Sequence, residues 1–209
     1  MKPTDILTEE HTVILRVLDC LEHIAAEAER AGALDGEPAE QAVRFLRGFA
    51  DEIHHGKEEA RLFPAMERKG LPREAGPIAV MLHEHDLGRA EVRGMAESIP
   101  TARSGDAAAL RQFVTCARGF VALLREHIGK ENDVLFPMAD ALFTPDEQAR
   151  LLEEFRAVEA QEIGPGVRAD LLALADGLAQ RYGVGDPTPP GSPCGGSAPT
   201  HPCSHHHRP

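Results

Sequence analysis

A repeat constrains this chain more than any other feature of its sequence. His54-His55-Gly56-Lys57-Glu58-Glu59-Ala60-Arg61-Leu62-Phe63-Pro64 is answered 73 residues later by His127-Ile128-Gly129-Lys130-Glu131-Asn132-Asp133-Val134-Leu135-Phe136-Pro137. His, Gly, Lys, Glu, Leu, Phe and Pro recur in register. A weaker echo links Glu10-His11 with Glu84-His85, 74 residues apart, with Arg16 and Arg89 following at nearly equal distance. The chain reads as two copies of one helix hairpin. Each copy supplies one lone His and one His-x-x-x-Glu.

Residues four apart lie on one face of an α-helix, a turn apart. His54 and Glu58 thus point the same way, as do His127 and Glu131. Both pairs continue apolar stripes: Leu46 and Ala50 before, Leu62 after; Leu123 before, Leu135 after. His85 continues Ile78, Met81 and Leu82, and His11 sits between Leu7 and Leu15. Helices are expected over Asp5 to Arg30, Ala39 to Arg68, Pro77 to Ser98 and Asp106 to Leu142. Gly and Pro clusters lie between the first three, and Pro100 follows the third. A fifth opens at Thr144-Pro145-Asp146-Glu147, a capping box with Pro at its first position, and runs toward Arg181 with a break at Gly164-Pro165-Gly166. Short connections between long helices imply antiparallel neighbours. The fold class expected is all-α: an up-down-up-down four-helix bundle over residues 5–142, an additional C-terminal helix over 144–182 packing across its outside, and a tail.

The tail, residues 183–209, is Pro, Gly, Ser, Cys and His with almost nothing to bury, and is expected to be disordered. Its Cys194, Cys203, His201 and His205 to His207 match no standard zinc spacing, although such a tract could bind a soft metal. Cys20 and Cys116 fall in helical patterns and read as small apolar residues rather than a disulfide. A net charge of -12 disfavours nucleic acid as a partner. No uninterrupted apolar run approaches the roughly 20 residues that span a bilayer, and MKPTDILTEEH lacks the apolar stretch of a secretory signal. A cytoplasmic protein without a membrane role is expected.

Four His and two Glu are therefore aimed into one apolar interior: His11, His54, Glu58, His85, His127 and Glu131. A buried carboxylate without a partner costs several kcal/mol. Either cations or shared protons must compensate it. A pair of divalent metals bridged by the two carboxylates does so directly, and imidazole with carboxylate suits iron, with manganese or zinc as alternatives. His54–Glu58 and His127–Glu131 could be mere polar pairs at bundle positions, and His11 or His85 alone reads as a satisfied core histidine; the doubling favours metal ligation for all six.

These motifs, His54-x-x-x-Glu58-Glu59-x-x-Leu62-Phe63-Pro64 and His127-x-x-x-Glu131-x-x-x-Leu135-Phe136-Pro137 with Glu10-His11 and Glu84-His85-Asp86, resemble the hemerythrin-like, or HHE cation-binding, family over residues 5 to 142. The segment Glu162-Ile163-Gly164-Pro165-Gly166 also resembles C-terminal extensions of such proteins. The resemblance implies an oxo- or hydroxo-bridged di-iron centre, with His11, His54, His85 and His127 as terminal ligands and Glu58 and Glu131 as bridges. Two departures separate the chain from oxygen-carrying hemerythrins. Met81 stands where their third helix has a second His, and Glu131 follows His127 by four residues where they have Asp at five. Four His and two Glu resemble instead the di-iron domain of proteins that repair iron centres under nitric oxide stress. Those carry a further Cys-bearing N-terminal domain with no counterpart in these 209 residues.

Other polar residues read less sharply. His55 lies about 100° round an α-helix from His54, which puts it at the edge of the site. His83 and His23 read as exposed. Glu59 and Glu84 are placed either to bond ligand imidazoles or to face solvent. Met81 reads as core that lines an open coordination position, and Phe63 and Phe136 as packing for the bundle end. Pro64 and Pro137 are expected to bend their helices past the site. Three functions follow. The first is binding of a diatomic ligand, oxygen or nitric oxide, for sensing, buffering or stress response. The second is enzymatic: action on nitric oxide or peroxide with a redox partner, or iron donation to damaged iron-sulfur clusters. The third is metal storage or delivery.

Overall fold

The computed structural model describes residues 1–158 and 163–185, all of whose regular structure is helical. The helices are α1 (Pro3–Ala31), α2 (residues 36–68), α3 (Gly76–Arg103), α4 (Ala107–Leu142), α5 (Pro145–Ala157) and α6 (Val167–Tyr182). The tail read as disordered lies outside the described residues from 186 onward, and with it Cys194, Cys203 and His201 to His207.

Cross-helix contacts fix the direction of each neighbour. Along α1, Asp19 and Glu29 meet Arg125 and Arg118 of α4, so the numbers rise in one helix as they fall in the other. The same reversal relates α2 to α3 through Glu40–Arg103 and Asp51–Arg89, and α3 to α4 through Gly94–Cys116 and His85–His127. Caps set the starts. Asp35 accepts from Glu37 N–H, which begins α2 three residues before the expected Ala39. Asp106 accepts from Ala108 and Ala109 N–H to open α4. Thr144 and Glu147 form the capping box that opens α5.

One expectation about proline needs correction. Pro100 does not end α3, which continues to Arg103 because Ile99 and Ala102 are buried and hold the last turn on the core. Pro64 and Pro137 lie within continuous helix. Each follows a π-helical turn, Glu58–Leu62 and Glu131–Leu135, in which the N–H of Phe63 reaches Glu58 and that of Phe136 reaches Glu131, five residues back. Widening the turn accommodates a residue that has no N–H and whose ring crowds the carbonyl four residues earlier. The stretch Leu46–His55 is also π-helical.

The core divides into two apolar clusters. The larger includes Leu18, Leu21, Phe45, Phe49, Met95, Phe113 and Phe120, with Leu171 and Leu178 of α6 closing its flank. The smaller includes Leu7, Phe63, Met66, Ile78, Met81, Phe136 and Phe155. Phe63 and Phe136 thus pack one end of the bundle, as expected. Met81 also belongs to this apolar cluster. Cys20 is buried and Cys116 half-buried, both free thiols. By length and composition α4 is apolar enough to cross a membrane, although Arg111 and Arg118 interrupt its apolar run. Its apolar residues pack against α1 and α3, and it carries His127 and Glu131 in its midst.

The fifth helix read from sequence is two, α5 and α6, with Gly164 and Gly166 in left-handed backbone between them. Phe155 ties α5 to the smaller cluster at 1% exposure. Truncating it, Phe155→Ala, should cost about 3–5 kcal/mol of folding stability by urea unfolding. An unchanged transition would make α5 an appendage.

Candidate metal centre

Between the two apolar clusters lies one polar layer. His11, His54, His85, His127, Glu58 and Glu131, the six residues proposed from sequence, are all brought into it, each at 1% exposure or less. They come from α1, α2, α3 and α4 in turn, because each interrupts its helix's buried stripe.

The imidazoles are paired. His11 Nε2 stands 3.0 Å from His54 Nε2, and His85 Nε2 stands 3.2 Å from His127 Nε2. Their other nitrogens are all engaged on oxygen. His54 Nδ1 faces Glu10 Oε2 at 3.1 Å, and His127 Nδ1 faces Glu84 Oε2 at 3.0 Å. His85 Nδ1 faces Glu59 Oε1 at 2.7 Å, and His11 Nδ1 faces Asn132 Oδ1 at 2.9 Å. Facing acceptors, each Nδ1 is the nitrogen that carries the proton of a neutral ring, so the neutral rings turn four Nε2 lone pairs inward. All four oxygens of Glu58 and Glu131 are buried and lack hydrogen-bond partners. Glu131 lies 3.1 Å from His11 Nε2 and 3.3 Å from His127 Nε2; Glu58 lies 3.7 Å from His54 Nε2 and 3.5 Å from His85 Nε2. Acceptors facing acceptors in a dry interior repel unless cations or shared protons sit among them. The Nε2 separations suit the purpose: two nitrogens ~2.1 Å from one metal at a right angle lie about 3 Å apart. The residues therefore fit metal ions.

The electrostatics show what a metal competes with here: Glu131 and Glu84 raise His127 against its burial, which favours its protonated form. Burial raises the Glu58 carboxyl well above its ordinary range, and the Glu131 charge adds to it. Burial pushes Glu131 the same way, but His11 and His127, when they carry a proton on Nε2, outweigh it and hold Glu131 well below, so protons compete with metal for this layer. Burial lowers His54 to about 4 despite its bond to Glu10, so this ring is neutral and free to ligate.

An outer ring orients these groups. Glu84, with His127, takes a bond from Lys130 Nζ, and Arg89 bonds both Glu59 and Asp51. Glu59 and Glu84 are thus outer partners, one of the two readings open in the sequence. Glu10, Lys57 and Asn132 were missed. Glu10 Oε1 accepts from the fully buried Lys57 Nζ at 2.5 Å. The repeat contained this signal, since Glu10 and Lys57 match Glu84 and Lys130, and Asn132 matches Glu59. His83 is exposed as expected; His23 is exposed and stacks on Tyr182.

His55 is a correction. It is 5% exposed rather than at the edge, with its ring stacked on His85 at 3.7 Å between centroids. The π-helical backbone explains this. More residues per turn means less rotation per residue, so His54 and His55 both face inward. Two overlapping donor groups result, each with ligand atoms within 4.8 Å of one another: His11, His54, Glu58 and Glu131, and His55, Glu58, His85 and His127.

A helical protein with two adjoining His/Glu cation sites in its core is the class that fold and site define. The family model of the hemerythrin HHE cation binding domain matches residues 2–139, and the chain belongs to that family. The iron-sulfur cluster repair proteins YtfE of Yersinia pestis (strain Pestoides F) and of Yersinia pseudotuberculosis (serotype O:1b) are each 36% identical over 105 residues, 44% of this chain and 47% of theirs. The chain thus spans about half the length of these relatives. No solved structure matches.

Although burial opposes it, His54 and Lys57 hold the Glu10 carboxyl down at about 2, against an ordinary 4.5. A depressed carboxyl stabilises the fold above its unfolded pKa, and that stability is lost as pH falls through the folded one. Glu10→Gln should destabilise the chain by about 3 kcal/mol at neutral pH. In denaturation at a series of pH values, the gap from wild type should close as pH falls from 4.5 toward 2. A gap independent of pH would contradict this ion pair.

Proposed function

We propose that this chain is a non-haem di-iron protein whose centre binds a small diatomic ligand, oxygen or nitric oxide, for sensing, buffering or stress response. Its frame is an up-down-up-down four-helix bundle within a hemerythrin-like unit of residues 1–182, with residues 183–209 as a separate tail. The observation that carries the proposal is the convergence of four inward Nε2 lone pairs and two partnerless carboxylates. His11 and His54 would hold one iron, His85 and His127 the other, and Glu58 and Glu131 would span both. Manganese or zinc suits the same donors less specifically. Iron there supplies a reversible change of oxidation state and an exchangeable coordination position.

The chain's own residues do the rest. Glu10, Glu59, Glu84 and Asn132 fix the tautomer and direction of each imidazole. The apolar clusters on either side keep bulk water out. A cavity of about 90 Å³, lined by Ala50, Asp51, His55, Gly88, Arg89 and Phe120 among others, runs to the edge of the site. Its size suits a diatomic molecule better than an organic substrate. A cytoplasmic setting and a partner able to return electrons go with this function.

The relatives' name favours a second reading, in which the same centre serves iron-sulfur cluster repair, by donating iron or by acting on nitric oxide or peroxide. Metal storage or delivery assisted by the tail has no comparable support.

Nitric oxide or oxygen added to anaerobic, ferrous protein should change its absorption spectrum stoichiometrically; no change with either gas would oppose ligand binding. Turnover with a reductant would favour the enzymatic reading. At Gly88 an added Cβ meets Phe120 at 3.4 Å, ordinary contact, so the backbone tolerates a side chain. Gly88→Leu should fill the cavity and slow nitric oxide association several-fold in stopped flow while iron content stays unchanged. An unaltered rate would mean that the gas enters elsewhere.

A further inference from the structure

We infer that His55 is a fifth imidazole ligand, bound to the metal held by His85 and His127, and that it makes the two metal positions unequal. This rests on the di-metal function proposed above.

Three observations converge on it. His55 is 95% buried, and neither ring nitrogen has a hydrogen-bond partner. A buried imidazole without partners forfeits the solvation of both nitrogens, and binding a cation restores one of those interactions. A ligand atom of the ring lies within 4.8 Å of those of Glu58, His85 and His127. Its Nδ1 also lies nearest an oxygen outside the site, as in the other four, although its ring is stacked on His85 and must turn to ligate. Each of those turns Nδ1 toward an oxygen outside the site and Nε2 inward. His55 has Nδ1 3.5 Å from Asp51 Oδ1, and this carboxylate is already anchored by Arg89. Metal binding that drew the ring into line would give His55 the same outer partner type as His54, His85 and His127.

The repeat explains why this breaks symmetry. The residue matching His55 in the second copy is Ile128, which is buried in the larger apolar cluster. The His11 and His54 side therefore has two imidazoles and the His85 and His127 side has three. Met81, a turn before His85, packs in the smaller apolar cluster, so the extra imidazole comes from α2 rather than α3. His55 also forms part of the wall of the 90 Å³ cavity, which places the three-imidazole metal beside it.

The test is anaerobic titration with cobalt(II), whose visible bands report the number and kind of ligands. Wild type, His55→Ala, His55→Leu and the exposed-site control His83→Ala would be compared, with circular dichroism and thermal melts to verify folding. Wild type and His83→Ala should take two ions with matching spectra. Outer partners alone are worth about 10–100-fold in metal affinity, so losing a direct ligand should weaken one of the two ions by at least that much and leave the other in place. His55→Leu, which fills the space, should show the same loss while melting normally. Free imidazole should restore the second ion and its spectrum in His55→Ala but not in His55→Leu. Two ions bound with unchanged affinity and spectrum in both variants would overturn the assignment of His55 while leaving the di-metal function standing. No cobalt bound by wild type would remove that function, and this inference with it.

Discussion

Everything in this structure is arranged around two carboxylates, Glu58 and Glu131, buried together with no hydrogen-bond partner on any of their oxygens. The four imidazoles nearest them, when neutral, give their one proton outward to Glu10, Glu59, Glu84 or Asn132 and turn lone pairs inward. Filling the layer with apolar side chains would make a more stable bundle. Keeping it polar makes sense only if cations or shared protons complete it. The outer ring carries its own cost, a lysine ammonium at Lys57 buried against Glu10, which the ion pair offsets while Glu10 also orients His54.

The internal two-fold repeat organises this layer. Glu10, His54 and Lys57 in one half correspond to Glu84, His127 and Lys130 in the other, and the bonds correspond as well. The copies differ where function would be expected to differ. Asn132 replaces Glu59, Arg89 braces only one side, and His55 has no counterpart. A symmetric frame thus holds an unsymmetric pair of sites. The π-helical turns belong to the same design: they let Pro64 and Pro137 continue their helices, and the π-helical stretch Leu46–His55 turns two successive histidines inward.

Much of this was legible in the sequence. The His-x-x-x-Glu pairs, spaced one turn apart and flanked by Leu and Phe, named the six converging residues and implied a helical bundle. The failures share a cause. His55 was put at the edge because a rotation of about 100° per residue was assumed, and nothing in the sequence announces a π-helix there. Pro100 was read as a helix end from local stereochemistry, whereas burial of Ile99 and Ala102 decides the matter. Glu10, Lys57 and Asn132 could have been found by pressing the repeat further. The approach of α1 to α2 that puts Glu10 on His54 is a tertiary fact that no periodicity encodes.

Either two cations or shared protons can balance the buried carboxylates. Metal analysis of anaerobically purified protein, read as ions per folded chain, separates the two. Cations in the layer mean two irons per chain, with both lost together with stability when a chelator is applied. A chain that folds fully with one zinc or no metal would contradict the di-iron account, and would mean that shared protons hold the His and Glu layer together.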